Sequence, residues 1–165
     1  MQQIGSFTFR KMDTASVREI ANWRYEAPYD IYNASPDEIE EHIEVFMDPQ
    51  YRYYTVWNEA DELIAFRCFG EDAQVPGGDY STPALDMGGG LRPDLTGKGL
   101  GARVMEAAFA FAQLSFAPKA FRATVAAFNT RALRVCEKVG YRPVQTFWRP
   151  QAGREYVVLM RAVDS

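Results

Sequence analysis

Hydrophobic and polar positions along the chain alternate in some segments and recur at three- and four-residue steps in others. Alternating and continuous apolar runs predict strands at about 7–11, 51–57, 63–69, 85–91, 121–126, 142–148 and 155–161. Helical spacing and N-capping residues predict helices at about 13–24, 35–46, from 102 onward, and 129–139. The predicted order βααβββαβαββ fits a mixed, twisted sheet flanked by helices.

Residues 85–112 give the clearest local prediction, which is a strand, a glycine-rich turn and a helix. The apolar strand at 85–91 ends before Pro93, because proline cannot donate to a central ladder. The glycines within 97–101 let the backbone turn tightly, and helical spacing begins at Ala102. Unpaired N–H groups at a helix N-terminus, together with the helix dipole, predict a site for phosphate or pyrophosphate.

The glycine-rich turn also has other interpretations, of which the simplest is a tight strand-to-helix connection without a ligand. A P-loop is excluded, because Gly99 stands where Ser or Thr must follow Gly97-Lys98. A dinucleotide-binding fingerprint fits Gly97, Gly99 and Ala102, but residues 118–128 contain no acid that could hold the ribose. A nicotinamide-dependent oxidoreductase is therefore the less favoured alternative.

The turn best resembles the acyl-CoA binding motif of the GNAT superfamily of N-acetyltransferases. Leu91-Arg92-Pro93 matches the strand end before that motif, and residues 96–101 match its loop, with Thr96 where Gln or Arg is usual. Residues 129–141 resemble the family's later motif, with Cys136 where Tyr is usual. The resemblance is strong over 84–145. It implies a single domain of mixed α/β class over residues 1–165, with a twisted sheet of about seven strands and about four helices.

The resemblance implies acetyl-CoA as cosubstrate and acetyl transfer to a primary amine of a small molecule or peptide, by direct attack in a ternary complex. In the family a bulge at the position of Gly88-Gly89-Gly90 splays two parallel strands, and a backbone N–H near Leu91 would polarise the carbonyl. Relief of crowding is the other interpretation of the glycines. The alternative function is a CoA-binding module without turnover. The implied cofactor-binding residues are Leu91, Arg92, Thr96, Gly97, Lys98, Gly99, Leu100, Gly101, Ala102 and Asn129.

Acetyl transfer to an amine needs a proton acceptor and a proton donor. Asp86 is the candidate base, as the only acid in its strand and at a place where many GNAT members carry one. Glu26 and Asp30 are alternatives, and Asp86 could instead only bond a neighbouring loop. Cys136 is the candidate acid, since a thiol with a reference pKa of about 8.5 can donate a proton; core packing is its other interpretation. The single histidine, His42, is interpreted as a rim or solvent-facing residue.

Residues 23–33 gather four aromatic and two acidic residues around a proline. One interpretation is a loop whose aromatic rings simply cover the core. In the resembled family this segment lines the acceptor pocket, where phenol and carboxylate groups suit an amine by hydrogen bonding, cation–π contact and charge. On that interpretation the predicted substrate-binding residues are Tyr25, Tyr29, Asp30 and Tyr32.

Composition narrows the expected partners. The net charge of −4 and the lack of a Lys/Arg-rich block disfavour nucleic acid and suit an amine. Cys68 and Cys136 have no metal-ligand spacing, so no metal is expected. No apolar stretch is long enough for a signal peptide or a membrane span. We therefore expect a cytoplasmic protein without membrane contact, and a homodimer is an open option.

Overall fold

The computed structural model describes residues 1–163. They form one eight-stranded sheet in the order β1-β2-β3-β4-β5-β6-β8-β7, and only β5 and β6 pair in parallel. The helices are α1 (Thr14–Ala21), α2 (Ile39–Phe46), α3 (Leu100–Phe116) and α4 (Thr130–Lys138). The strands are β1 (Gln2–Ile4), β2 (Phe7–Lys11), β3 (Tyr53–Trp57), β4 (Leu63–Phe69), β5 (Leu85–Leu91), β6 (Ala120–Ala126), β7 (Arg142–Arg149) and β8 (Arg154–Ala162).

The predicted class and the four flanking helices are confirmed, with small differences at the ends of elements. β1 was not predicted, because three residues are too few to show an alternating pattern. Asp13 caps α1 as predicted, accepting from the Ser16 N–H at 2.7 Å. At α2 the hydroxyl of Ser35 donates to the Glu38 carboxylate at 2.8 Å, and the first turn is a 3₁₀ helix.

Two apolar layers cover the two faces of the sheet. On one face α3 and α4 pack over the larger core, in which the rings of Phe9 and Phe111 stack at 4.7 Å. On the other face α1 and α2 pack over a smaller core, in which Phe46 stacks on Tyr53 at 4.1 Å. Side chains of β4 alternate between these layers, so that Ala65 and Phe69 face the first and Phe66 faces the second.

The sheet divides between β5 and β6. These strands pair only at Leu85–Phe121 and Asp86–Arg122, whereas β5 stays paired with β4 as far as Leu91. No register shift interrupts the β4–β5 ladder, so the predicted bulge at the triple glycine is wrong. Gly89 has a φ of +152° instead, and a Cβ there would collide with the carbonyl oxygen of Phe66. Glycine is thus required at this point of the divergence.

Candidate active site

A cavity of about 710 Å³ opens where β5 and β6 separate. Its walls are residues 88–91 of β5 and 123–126 of β6. Residues of α3 and α4 line it on one face of the sheet, and residues of α1 and α2 line it on the other. Two ligands can therefore meet in the gap from opposite faces.

Residues 96–99 and the start of α3 form a cradle at the cavity on the α3/α4 face. Gly97 and Gly99 have φ angles of +75° and +80°, and a Cβ added to either would meet no atom within 4 Å. Within residues 1–163 the N–H groups of 97–99 donate no hydrogen bond to the main chain. They add to the unpaired N–H groups of the first turn of α3. Unpaired donors in a turn that lines a cavity are suited to bind an anion.

Three cationic side chains of α4, those of Arg131, Arg134 and Lys138, also line the cavity. The helix lies close to the cradle, because a Cβ at Gly101 would be 3.6 Å from a methyl group of Val135. Phosphate groups held by the cradle would therefore meet backbone donors from α3 and positive charge from α4.

Every second residue of β5 directs its main-chain N–H and C=O groups into the gap between β5 and β6. The Gly70 N–H donates to the Asp86 carbonyl and the Arg92 N–H donates to the Ile64 carbonyl, both at 2.8 Å. Because an antiparallel ladder alternates its direction, the N–H and C=O groups of Gly89 and Leu91 face away from β4. The two N–H groups and the Gly89 carbonyl are free to bind an extended ligand arm, and an N–H group here can polarise a carbonyl.

Tyr25 marks the edge of this gap, as its hydroxyl donates to the Leu91 carbonyl at 2.7 Å. Burial raises the pKa of Tyr25 to about 12, so the phenol stays protonated at neutral pH. Its main chain is held by the Asn33 side chain, which accepts from the Tyr25 N–H at 2.7 Å. The loop between α1 and α2 is therefore fixed against β5.

The cavity wall on the α1/α2 face is apolar and aromatic. His42 is the one titratable side chain of α2 on that wall; its ring stacks on Phe46 at 5.9 Å, and its Nε2 lies 3.7 Å from a Glu38 carboxylate oxygen. Among residues 1–163, no Asp or Glu lines any part of the cavity. The remaining wall residues on this face are Val17, Ile20, Ala21, Trp23, Tyr25, Ala34 and Phe66.

Tyr29 and Tyr32 line the cavity beside the loop before α4. Each ring lies 6.0 Å from the ring of Phe128, and the Arg131 guanidinium lies 4.4 Å above Tyr29. The Asn129 amide donates to the Tyr32 hydroxyl at 3.2 Å, while its oxygen caps α4. The predicted acceptor segment and the predicted cofactor residue Asn129 are therefore in direct contact.

Asp86 lies in a buried ion pair at the last paired position of β5 and β6. Its two oxygens accept from Nε and Nη2 of Arg122 at 2.7 and 2.8 Å, and Gln74 donates to the second oxygen at 2.9 Å. The carboxylate raises the pKa of Arg122 through these hydrogen bonds. Asp86 is 4% exposed and does not line the cavity. These contacts favour the structural alternative for Asp86 over a role as base, which stays a prediction.

Cys136 lies in the core at the inner wall of the cavity, where it is 2% exposed. Burial raises the pKa of its thiol to about 11. Arg67 of β4 and Tyr141, which is fully buried, line the same part of the cavity. The burial of Cys136 favours its packing interpretation, and its role as the acid stays a prediction.

Most of the predicted site residues line the cavity, but Asp86, described above, and four others do not. Asp30 is exposed, and Arg92 pairs with Asp94 at 2.7 Å and lies 3.8 Å from Glu62. Lys98 and Leu100 border a separate depression beside β1. Arg67 lines the cavity and was missed, because an isolated polar residue in an apolar pattern carries no local signal of a site. His42, which was interpreted from the sequence as a rim or solvent-facing residue, also lines the cavity.

Residues 16–141 match the family model described as the acetyltransferase (GNAT) family. The chain belongs to the GNAT acetyltransferase family. No curated protein matches it significantly.

The solved structures that resemble this acetyltransferase share its fold at low identity. One is a spermidine N-acetyltransferase chimera of Vibrio cholerae SpeG and hSSAT, with 17% identity, coverage of 96% of both chains and a TM-score of 0.74. Another is a Bacillus anthracis GNAT acetyltransferase, with 15% identity, coverage of 97% and 96%, and a TM-score of 0.76. A third is AAC(6′)-Ib in complex with paromomycin and acetyl-CoA, with 16% identity, coverage of 95% and 93%, and a TM-score of 0.75.

Family membership makes the protein an N-acetyltransferase with acetyl-CoA as its cosubstrate, as the sequence predicted. The residues present fit that cosubstrate, because the glycine cradle, the basic side chains of α4 and the free main chain of β5 follow one another along the cavity. In residues 1–163 no helix has the length and apolar character to span a membrane.

Proposed function

We propose that this acetyltransferase acetylates a primary amine on a small molecule or peptide whose body is apolar or aromatic. The observation that carries the proposal is the wall on the α1/α2 face, where Trp23, Phe46 and Phe66 lie and which no carboxylate of the described chain lines. An apolar wall gains free energy by burying an apolar acceptor, at about 25 cal/mol per Å².

A polycationic acceptor fits this wall poorly. Solved relatives include a spermidine N-acetyltransferase and an enzyme in complex with paromomycin. Each extra ammonium group that enters an apolar cavity without a carboxylate loses hydration that nothing replaces. The acceptor of this enzyme should therefore present one amine, and the rest of its body should be uncharged where it touches the wall.

Different parts of the chain serve the separate requirements of acetyl transfer. The 97–102 backbone and the cations of α4 bind the phosphates, and the N–H groups of Gly89 and Leu91 orient the pantetheine arm and polarise the carbonyl. Bound acetyl-CoA supplies an activated acetyl thioester. The amine enters from the α1/α2 face, and we propose that the His42 imidazole accepts its proton, directly or through water.

The acceptor class is tested with a panel of amines and acetyl-CoA, with thiol release as the measurement. We expect kcat/KM for phenethylamine, tryptamine and a peptide with N-terminal Phe to exceed that for spermidine and kanamycin by about tenfold or more. A preference for spermidine or kanamycin would contradict the proposal.

A matched pair of variants locates the preference on the wall. Phe46→Ala should raise KM for phenethylamine by about tenfold, because one aromatic contact surface is lost. Leu114→Ala should leave KM unchanged, because Leu114 is 72% exposed on α3. Equal effects of the two substitutions would place the acceptor elsewhere.

A further inference from the structure

Arg67 is a buried cation that has no charged partner within residues 1–163. It lies on β4 between Phe66 and Cys68, which face α1 and α2, so alternation directs Arg67 toward α3 and α4. The residue is 8% exposed, and its Nε is sealed from solvent without an acceptor. Within residues 1–163, no carboxylate lies within salt-bridge distance of Arg67. Arg67 lines the cavity, and its terminal nitrogens are not among the atoms that are both sealed and unpartnered.

The surroundings of Arg67 add donors and no acceptor of opposite charge. The ionisable groups close enough to influence its pKa are Cys68, Cys136 and Tyr141, and burial lowers that pKa. The Tyr141 hydroxyl is also buried and has no hydrogen-bond partner in the part of the chain that the structure describes. Burial raises the pKa of Cys136 to about 11, so its thiol stays neutral. The contrast with Arg122, whose guanidinium is paired with Asp86, shows that this fold satisfies a buried arginine elsewhere.

A guanidinium and a phenol without acceptors form a site for a carboxylate. An unpaired buried charge destabilises a protein, whereas a planar guanidinium binds a carboxylate through two parallel hydrogen bonds. Arg67 lies on the face that carries the phosphate cradle, and the aromatic acceptor wall is on the opposite face. A carboxylate bound here would therefore belong to the acyl chain of the thioester and not to the amine.

We propose that Arg67 binds the terminal carboxylate of a short dicarboxylic acyl group, so that the enzyme accepts succinyl- or malonyl-CoA in addition to acetyl-CoA. The proposal rests on the proposed function, because it uses the same cavity and the same nucleophile. In the reaction the amine nitrogen forms a bond to the acyl carbon and the carbon–sulfur bond breaks. The amine loses one proton to a base, CoA leaves as a thiol after protonation, and the acyl carboxylate is unchanged.

Calorimetric binding of CoA esters tests the site without relying on turnover. Succinyl-CoA and butyryl-CoA have acyl chains of equal carbon number and differ at the end that would meet Arg67. We expect the wild type to bind succinyl-CoA about 10- to 100-fold more tightly, as is typical of hydrogen bonds to charged groups. Arg67→Met should bring the ratio of the two affinities close to one. Arg67→Lys should keep part of it, because lysine retains the charge without the planar fork.

Arg161→Met is the matched control. Arg161 also has a buried nitrogen without an acceptor, but its guanidinium lies 4.2 Å from the Phe109 ring and does not line the cavity. This substitution removes the same charge and should leave the ratio of affinities unchanged. The melting temperature of Arg67→Met should not fall, since the substitution removes an unpaired buried charge.

Several results would overturn the proposal. Equal affinities of succinyl- and butyryl-CoA in the wild type would do so, as would a ratio that persists in Arg67→Met. In a further such result, the wild type prefers an amino acid over its decarboxylated amine as acceptor, loses that preference in Arg67→Met, and shows no preference between the two CoA esters. That result would place the bound carboxylate on the acceptor and overturn its assignment to the acyl group. Failure of all CoA esters to bind would instead refute the proposed function itself.

Discussion

At the scale of single residues, the partner of an ionisable group decides what that group can do. Asp86 accepts hydrogen bonds from Arg122 and Gln74 and does not line the cavity, so these contacts tie it to the structure and not to a ligand. We expect Asp86→Asn to lower the free energy of unfolding by about 3–5 kcal/mol, because a buried charge on Arg122 loses its partner. Denaturant unfolding measures the change. Asp61→Asn, in the exposed pair with Arg10, should cost less than about 1 kcal/mol.

His42 lines the cavity, whereas Asp86 does not. If its imidazole accepts the amine proton, His42→Gln should lower kcat by about 10²–10⁴-fold and leave acetyl-CoA affinity intact. The residual rate should rise with pH, because more amine then arrives deprotonated. Asp30→Asn is the control, since Asp30 is exposed outside the cavity. A normal kcat in His42→Gln, combined with a large fall in folded Asp86→Asn, would restore Asp86 as the base.

At the scale of elements, the loop before α3 tests the phosphate cradle. Gly99→Asp should weaken acetyl-CoA binding by about 10- to 100-fold, because it places a carboxylate where the backbone donors face an anion. Gly153→Asp, in the β7–β8 turn, is matched to it, because Gly153 has a φ of +64° and likewise no atom within 4 Å of an added Cβ. Calorimetry on both variants separates backbone strain from loss of the site. Unchanged affinity in folded Gly99→Asp would move the phosphates elsewhere.

The elements also show why part of the site could be predicted. The cradle is local, so the glycine spacing at 97–101 was enough to predict its backbone form. The acceptor wall is not local, because α1, α2 and β4 contribute to it from distant positions in the chain. The burial of Asp86 could not be foreseen for the same reason, since Arg122 follows it by 36 residues. Arg92 and Lys98 fit the motif, yet their side chains lie outside the cavity.

At the scale of the whole molecule, buried thiols predict a loss of stability in alkali. Burial raises the pKa of both Cys68 and Cys136 to about 11, whereas an exposed thiol has a pKa of about 8.5. The folded protein therefore holds these protons more tightly than the unfolded chain does. Stability should be complete below about pH 8.5 and should fall as the pH rises toward 11.

Thermal unfolding at a series of pH values measures this loss. In Cys136→Ala the melting temperature should fall less steeply with pH above about 8.5, because one of the two thiols no longer titrates in the unfolded chain. Its kcat at low temperature should stay near the wild-type value if Cys136 only packs the core. A kcat that falls in Cys136→Ala and in Cys136→Ser would revive the prediction that this thiol is the acid.

The free main-chain groups of β5 and of the 97–102 turn have a consequence for how such a sequence can diverge. A site made of N–H and C=O groups depends on the backbone conformation. It requires a particular residue only where the φ angle is positive, as at Gly89, Gly97 and Gly99. Solved acetyltransferases can therefore share this fold over 95% or more of the chain at only 15–17% identity. The aromatic wall on the other face bears no such constraint. Mutation can exchange its side chains, and with them the acceptor, while the cosubstrate continues to bind.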